Sequence, residues 1–522
     1  MNDLDNSSTT RTQRSYNDAL PNDGVESMTV TLPGRGITKV SINTTKIQDK
    51  VFMIRALYTQ IMALQESFGP YCSTSFDIIL PLVSFRYSNE IRATSAQTVF
   101  AIFDASCRYS SYVTNDWIFP KDILPKTLRS ISEQLVKEEH HIDIECIYAL
   151  AESLQGCCGT MFEFTRNDKD GSINLIGNMT YSDIEISIQH VVQTLTACLQ
   201  RRAVICQTLH DGSCTGEDER NEQMTLLQKE ENLLTPLVDS IGYTLKCYGP
   251  NFTSIFEQHV VPVLMPYCGN DSDVSSIDIR ARLSVVCLLD DCVEYCGIDA
   301  ATKISPILLP LILFGINENN HMDPELTRAS IYGIAQIARH APVAQNILSN
   351  HAPFLVQQLY QRVTITNKDE LSSDNDDTCL AVFENSISAL ASLILFDQAP
   401  FRHDFHSGKY NITSDNIMHL FLGNLPLTID YDEAMICHTG LCQMIESGTL
   451  SITAQSYDDV VRCIQNILES MADDIDDDDD DLMSLAQRLR NLQDVLQTPN
   501  FIANIKTAVA SPCSVAGNMS SN

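Results

Sequence analysis

Apolar residues recur at helical spacing along most of this chain, and between residues 271 and 363 one pattern is written twice. The first copy runs DSDVSSIDIRARLSVVCLLDDCVEYCG and continues into ATKISPILLPLILFGI. The second runs DPELTRASIYGIAQIARHAP and continues into VAQNILSNHAPFLVQQLYQRV. Each copy joins an amphipathic helix, charged at its start, to a second apolar helix with an internal proline. On the first of these helices Val285, Leu288, Leu289, Cys292, Val293 and Cys296 make one wide apolar stripe, with Asp290, Asp291 and Glu294 on the other side. A stripe that wide suits a helix touching both its own partner and the next unit. In the second copy the stripe is Leu326, Ser330, Gly333 and Ile337, whose small residues permit close helix approach.

Pro310 and Pro353 lie 43 residues apart, and Cys296 and Ala341 lie 45 apart. Helical pairs recurring at about 40–47 residues are the signature of HEAT or armadillo repeats, which bury their apolar faces only by stacking. The same phase extends outward. Pairs are predicted from Thr45 and Tyr71, from Asn89 and Lys121, from Asp143 and Ser182, from Met224 and Phe252, then after Leu380 and on to Leu482. The expectation is an all-α fold, a HEAT-repeat α-solenoid of about eight antiparallel helix pairs over residues 41–497. Polar insertions are expected near 163–180, 209–223, 366–378 and 473–481. Residues 1–40 and 498–522 lack an apolar period and are expected as disordered tails.

With 34 Lys and Arg against 67 Asp and Glu, the chain carries a net charge of −33. That surface repels nucleic acid and anionic lipid and favours basic partners; it also serves solubility alone. The 18 cysteines include no CxxC pair and sit beside Val and Leu on apolar faces, which points to reduced, core-packing thiols in a reducing compartment. The most apolar run, Ile304–Ile316, is short for a bilayer span and holds two prolines, so no membrane insertion is expected.

No catalytic motif is present: no G-x-S-x-G, H-E-x-x-H, G-x-G-x-x-G or Walker sequence, so an enzyme is not expected. NDKDGSIN fits a calcium loop in neither register and reads as a turn. Cys157–Cys158, His140–His141 and Cys292/Cys296 do not close a metal site, and no metal or cofactor is expected. The remaining candidates are acidic. Glu217, Asp218, Glu219 and Glu222 lie in one polar break, and Asp476, Asp477, Asp478, Asp479, Asp480 and Asp481 belong to a run that self-repels and stays solvated. Both are candidate cargo-binding residues that attract Lys-rich segments, and both also read as solvated loops.

VCLLDDCVEYC (Val286–Cys296), RASIYGIAQIA (Arg328–Ala338) and FENSISALASL (Phe383–Leu393) resemble consecutive repeats of the importin beta superfamily. With LFLGNLPLTIDYDEAMICHTGLCQMIES after them, and SFDIILPLVSFRYSNEIRATSAQTVF before, the order resembles the C-terminal half of the importin-5 (importin beta-3) branch. This resemblance implies a karyopherin, a nuclear transport receptor shuttling between cytoplasm and nucleus. It implies basic cargo bearing nuclear-localisation signals, such as histones or ribosomal proteins, with Ran-GTP and Phe-Gly nucleoporins as further partners. It also implies A helices on the convex surface and B helices on the concave, cargo-facing one. The family's usual Arg falls here on Thr327, with Arg328 one place later, so the inter-repeat Asp–Arg ladder is expected to be broken there. The competing reading is a HEAT-repeat scaffold, such as a phosphatase or condensin-type subunit, unrelated to nuclear transport.

Overall fold

The computed structural model describes residues 25–32, 36–139, 143–166, 175–214, 216–269, 278–317, 323–365, 377–407, 411–450, 452–453, 456–472 and 480–499. The chain divides into two compact units, Met1–Asp116 and Trp117–Asn522.

The first unit opens on an antiparallel hairpin, β1 (Val25–Leu32) and β2 (Gly36–Asn43), with Val25 opposite Asn43 and Leu32 opposite Gly36. This corrects the expected disordered tail for residues 25–32 and 36–40. The segments SMTVTL and ITKVSI alternate with period two and are rich in β-branched residues, which is a strand pattern. Helix α1 (Thr44–Leu64) follows, then a 3-10 stretch Gln65–Tyr71 and α2 (Cys72–Ile79), which gives way at Pro81 to the 3-10 turn Leu80–Ser84. Both α1 and α2 pack on α3 (Asn89–Tyr109), where Ser88 caps the helix by accepting from the Ile91 amide at 3.2 Å.

The second unit holds the repeats. It runs α4 (Ile118–Glu139), α5 (Ile144–Arg166), α6 (Tyr181–His210) and α7 (Glu217–Tyr248). Two short helices, α8 (Thr253–Ile255) and α9 (Val261–Leu264), flank a π turn at Phe256–Val260. Then come α10 (Ile279–Tyr295), α11 (Gly297–Gly315), α12 (Pro324–Arg339), α13 (Ala341–Ile347) and α14 (Ala352–Ile365). The last described helices are α15 (Asp377–Leu390), α16 (Arg402–His406), α17 (Ser414–Asn424), α18 (Tyr431–Glu446), α19 (Tyr457–Met471) and α20 (Asp480–Leu496).

Helices stack in two rows. In one, α5 packs on α7, α7 on α10, α10 on α12, α12 on α15 and α15 on α18. In the other, α4 packs on α6, α6 on the Phe256–Val260 turn, and α11 on α13. The rows face each other through pairs such as α6 with α7, α10 with α11 and α14 with α15. This is the expected HEAT-repeat α-solenoid, and its core lies between the rows: Leu288, Leu289, Leu308, Ile312, Ile331 and Leu355 are all buried. Sharp reversals use left-handed glycines, Gly249 (φ 51°) after α7 and Gly297 (φ 82°) after α10.

Several insertions are shorter than the polarity pattern suggests. Helix α5 continues to Arg166, and Leu175–Asn178 is a 3-10 turn whose Leu175 is buried; residues 167–174 lie outside the described set. Helix α7 begins at Glu217, because acidic residues in a first turn favour the positive end of a helix dipole. Helix α11 starts at Gly297 and spans 19 residues, so the apolar run at Ile304–Ile316 belongs to a longer helix than expected. By length and composition it and Asp377–Leu395 could each cross a membrane; both pack within the stack.

Buried polar links tie successive repeats. Arg202 on α6 makes a two-pronged contact with Asp278, 2.8 Å on each side, and both residues are almost fully buried. Asp278 also caps α10, accepting from the Ala281 amide at 3.1 Å. Thr327 donates its hydroxyl hydrogen to the Gly315 carbonyl at 3.0 Å. Among the described residues the 17 cysteines form no disulfide, and most of them are buried.

Candidate functional site

The row α5–α7–α10–α12–α15–α18 carries a polar ladder; it holds the first helix of each expected pair, not the second helices that the resemblance implied would face cargo. Helix α10 contributes residues at i, i+3, i+4 and i+7, one face of an α-helix, α5, α7 and α12 contribute two or three at compatible spacings, and α15 and α18 one each. They are Gln155, Phe162 and Arg166 on α5; Asp239, Tyr243 and Lys246 on α7; and Cys287, Asp290, Asp291 and Glu294 on α10. Helix α12 adds Tyr332 and Arg339, α15 adds Ser388, and α18 adds Glu433.

The rungs connect across helices. Gln155 Nε2 donates to Asp239 Oδ2 at 2.6 Å, and the rings of Phe162 and Tyr243 stack with centroids 5.8 Å apart. Lys246 Nζ lies 3.1 Å from Asp291 Oδ1. The same ammonium sits 6.0 Å from the Phe162 ring centroid and 5.5 Å from that of Tyr295. Tyr332 donates to Glu294 Oε2 at 2.7 Å, and Arg339 Nη2 reaches Glu433 Oε2 at 2.6 Å. Ser388 donates to the same Glu433 oxygen.

Carboxylates outnumber cations here, and burial resists their ionisation. Asp290 is buried, its Oδ1 has no hydrogen-bond partner, and burial with Asp291 and Glu294 beside it holds its carboxyl well above the usual range. Burial pushes Asp291 up to about 6, against the pull of Lys246. Glu294 and Asp239 are raised by burial, opposed by Tyr332 and by Gln155 respectively. Burial disfavours the charge of Lys246, yet Asp291 outweighs it and raises that ammonium. Cys287 is exposed.

This surface is suited to cations. Carboxylates pair with ammonium and guanidinium groups, and phenol rings attract them through their faces. Lys246, held between Asp291 and two rings, shows the chemistry with an internal cation. Among the described residues no cluster has the ligands of a metal site.

The acidic residues singled out in the sequence lie elsewhere. Glu217, Asp218 and Glu219 form the first turn of α7 and Glu222 follows; all four are exposed. Asp239 is 17 residues further along that helix, about 25 Å by its rise. Asp480 and Asp481 open α20, with Asp481 exposed, whereas Asp476, Asp477, Asp478 and Asp479 lie outside the described residues. Asp290, Asp291 and Glu294 were visible as the polar side of a helix. What singles them out is the neighbouring helices, whose Gly242 and Gly333 approach closely: a Cβ on Gly242 would stand 3.0 Å from Asp291 Oδ2, and one on Gly333 2.4 Å from Asp290 Oδ1.

Stacked helix pairs with a two-row core and a polar ladder along one row define a HEAT-repeat solenoid. No protein-family model matches the chain. It is 24% identical over 211 residues to a probable importin-5 homolog of Dictyostelium discoideum, a match covering 40% of this chain and 18% of that protein. Its fold is similar to crystal structures of Kap121p bound to Nup53p (15% identity, TM-score 0.58, 92% of this chain and 38% of that one). It is likewise similar to the karyopherin Kap121p bound to the SUMO protease Ulp1p (15% identity, TM-score 0.59, 92% and 38%) and to Kap121p bound to RanGTP (14% identity, TM-score 0.58, 93% and 39%). The sequence likeness is thus to an importin-5 homolog, and the fold is that of the Kap121p structures. The chain spans about a fifth of the curated relative and under two fifths of the solved chains.

Proposed function

We propose that this chain is the cargo-side, C-terminal half of a nuclear transport receptor that binds basic proteins bearing nuclear-localisation signals. The observation that carries this is the ladder on α7, α10 and α12, an acidic and aromatic surface already holding one ammonium group. The exposed Glu217, Asp218, Glu219 and Glu222, with the aspartates 476–481, act at longer range by drawing basic segments toward the protein. Ran-GTP and Phe-Gly nucleoporins enter as partners because Kap121p, similar in fold, has been crystallised with RanGTP and with Nup53p. The receptor then shuttles between cytoplasm and nucleus, and it performs no covalent chemistry.

The test is binding of a Lys-rich localisation peptide to wild type and to D291N/E294Q at low and physiological salt. The double variant should bind at least about tenfold more weakly, the scale of one charge-assisted contact. Unchanged affinity in a folded D291N/E294Q protein rejects the ladder as the cargo surface. The four glutamate and aspartate positions at 217–222, changed together to Gln or Asn, should flatten the salt dependence and slow association.

A further inference from the structure

Two arginines, Arg202 and Arg282, are fully buried among the described residues, and only the first has a counter-charge. Arg202 grips the Asp278 carboxylate with both prongs. Arg282 lies in the first turn of α10 and makes no ion pair among the described residues. Its Nη2 donates to the Gly269 carbonyl at 2.9 Å, while Nε and Nη1 are buried without a hydrogen-bond partner. Most of its N–H groups therefore lack an acceptor. The guanidinium carbon lies 4.2 Å from the ring centroid of Phe314 on α11. A ring face attracts the charge but offers no oxygen to the in-plane N–H groups.

The oxygens of this corner are committed to other donors. Asp278 serves Arg202 and also caps α10 through the Ala281 amide. At the end of α11 the Gly315 carbonyl accepts from Thr327, and the Ile316 carbonyl accepts from Arg362 at 2.9 Å. Arg280, in the same first turn, takes Glu231, Asp323 and Glu325. Arg280 and Arg202 thus have carboxylates, and Arg282 has none. Burial pulls its pKa down, which is the mark of a charge held from water without compensation. Packing under Phe314 alone would be served as well by a methionine. What the guanidinium adds is a planar, hydrogen-bonding cation at the positive end of a helix.

We propose that Arg282, beside Gly269 and Phe314, is the binding site of a phosphate-type oxyanion, which accepts from the N–H groups that the fold leaves without partners. The guanidinium fork matches two phosphate oxygens at once, which a lysine ammonium does not. Arg282 is 1% exposed and Phe314 half-buried, so the ring swings aside before the oxyanion enters. The net charge of −33 repels anions at long range, so affinity comes from this contact and not from the general field. The same chemistry belongs to a free phosphate ion and to the phosphoryl group of a modified partner side chain. The site is independent of the basic-cargo reading.

The experiment titrates the full chain with inorganic phosphate at constant ionic strength, read by calorimetry, and repeats the titration with a phosphoserine peptide and its unphosphorylated form. R282M should bind phosphate at least about tenfold more weakly than wild type, the scale of one charge-assisted contact. R282K keeps the charge without the fork and should fall between the two. Circular dichroism checks the fold of each variant, and if R282M does not fold, wild type against R282K decides. A phosphoserine peptide that binds much more tightly than phosphate supports the site and assigns it to a modified partner side chain. One that binds no better supports the site and assigns it to the free ion. Equal phosphate affinity in wild type and the folded variants overturns the proposal. So does a wild type that binds neither phosphate nor the phosphopeptide.

Discussion

At the scale of residues, stability rests on a few buried charges whose partners come from other repeats. Asp278 satisfies both Arg202 and the first turn of α10. D278A leaves a buried guanidinium unpaired and should cost about 3–5 kcal/mol. R202M/D278S removes the charge and keeps a capping hydroxyl, so it should unfold at a higher urea concentration than D278A alone. The ladder carboxyls titrate in the opposite sense to ordinary surface acids. Asp290 and Asp291 are raised by burial, so the folded chain holds protons that the unfolded chain gives up near pH 4. Their contribution favours folding at low pH and is lost as pH rises, for Asp291 between about pH 4 and about 6. The melting temperature of D290N/D291N relative to wild type should therefore climb by roughly 2–5 °C between about pH 4.5 and 7. A difference independent of pH would mean that neither carboxyl is held protonated by the fold.

At the scale of elements, helix starts and close crossings decide how the pairs meet. Thr180 and Asp183 form a reciprocal capping box at the head of α6, and Thr413 with Asn416 does the same for α17. Where α11 meets α12, a Cβ on Gly315 would stand 2.0 Å from Ser330 Oγ. G315A should destabilise by about 1–3 kcal/mol through overpacking. S330G in the same protein should recover part of that loss, measured by thermal unfolding of the single and double variants. Failure to recover would trace the cost to the Leu326 carbonyl, 3.3 Å from the same Cβ position. The helical pairs were legible in the sequence because apolar spacing and interior prolines are local signals. The hairpin at 25–43 was equally local, but a short period-two run sits beside a polar segment that masks it. Helix α7 was read as starting late because its exposed first turns carry no apolar stripe.

At the scale of the whole molecule, a charge of −33 makes folding depend on screening. Raising salt from about 0.01 M to 0.3 M shortens the Debye length from roughly 30 Å to under 10 Å. The melting temperature should rise by a few degrees over that range, because self-repulsion is screened more than the buried pairs are weakened. A monotonic fall would mean that exposed ion pairs such as Arg280 with Glu325 and Lys303 with Glu257 dominate.

The repeat length, the all-helical architecture and the likeness to importin beta repeats were settled by the sequence, since each depends on spacings within about fifty residues. The ladder and the contact of Arg166 with Asp432 were not. Asp290 looked like a solvated helix residue until Gly333 of the next repeat closed over it. Arg166 and Asp432 stand 266 positions apart, and no local pattern relates them. Curvature accumulates from small rotations at every helix contact, so only the assembled stack decides which distant side chains meet.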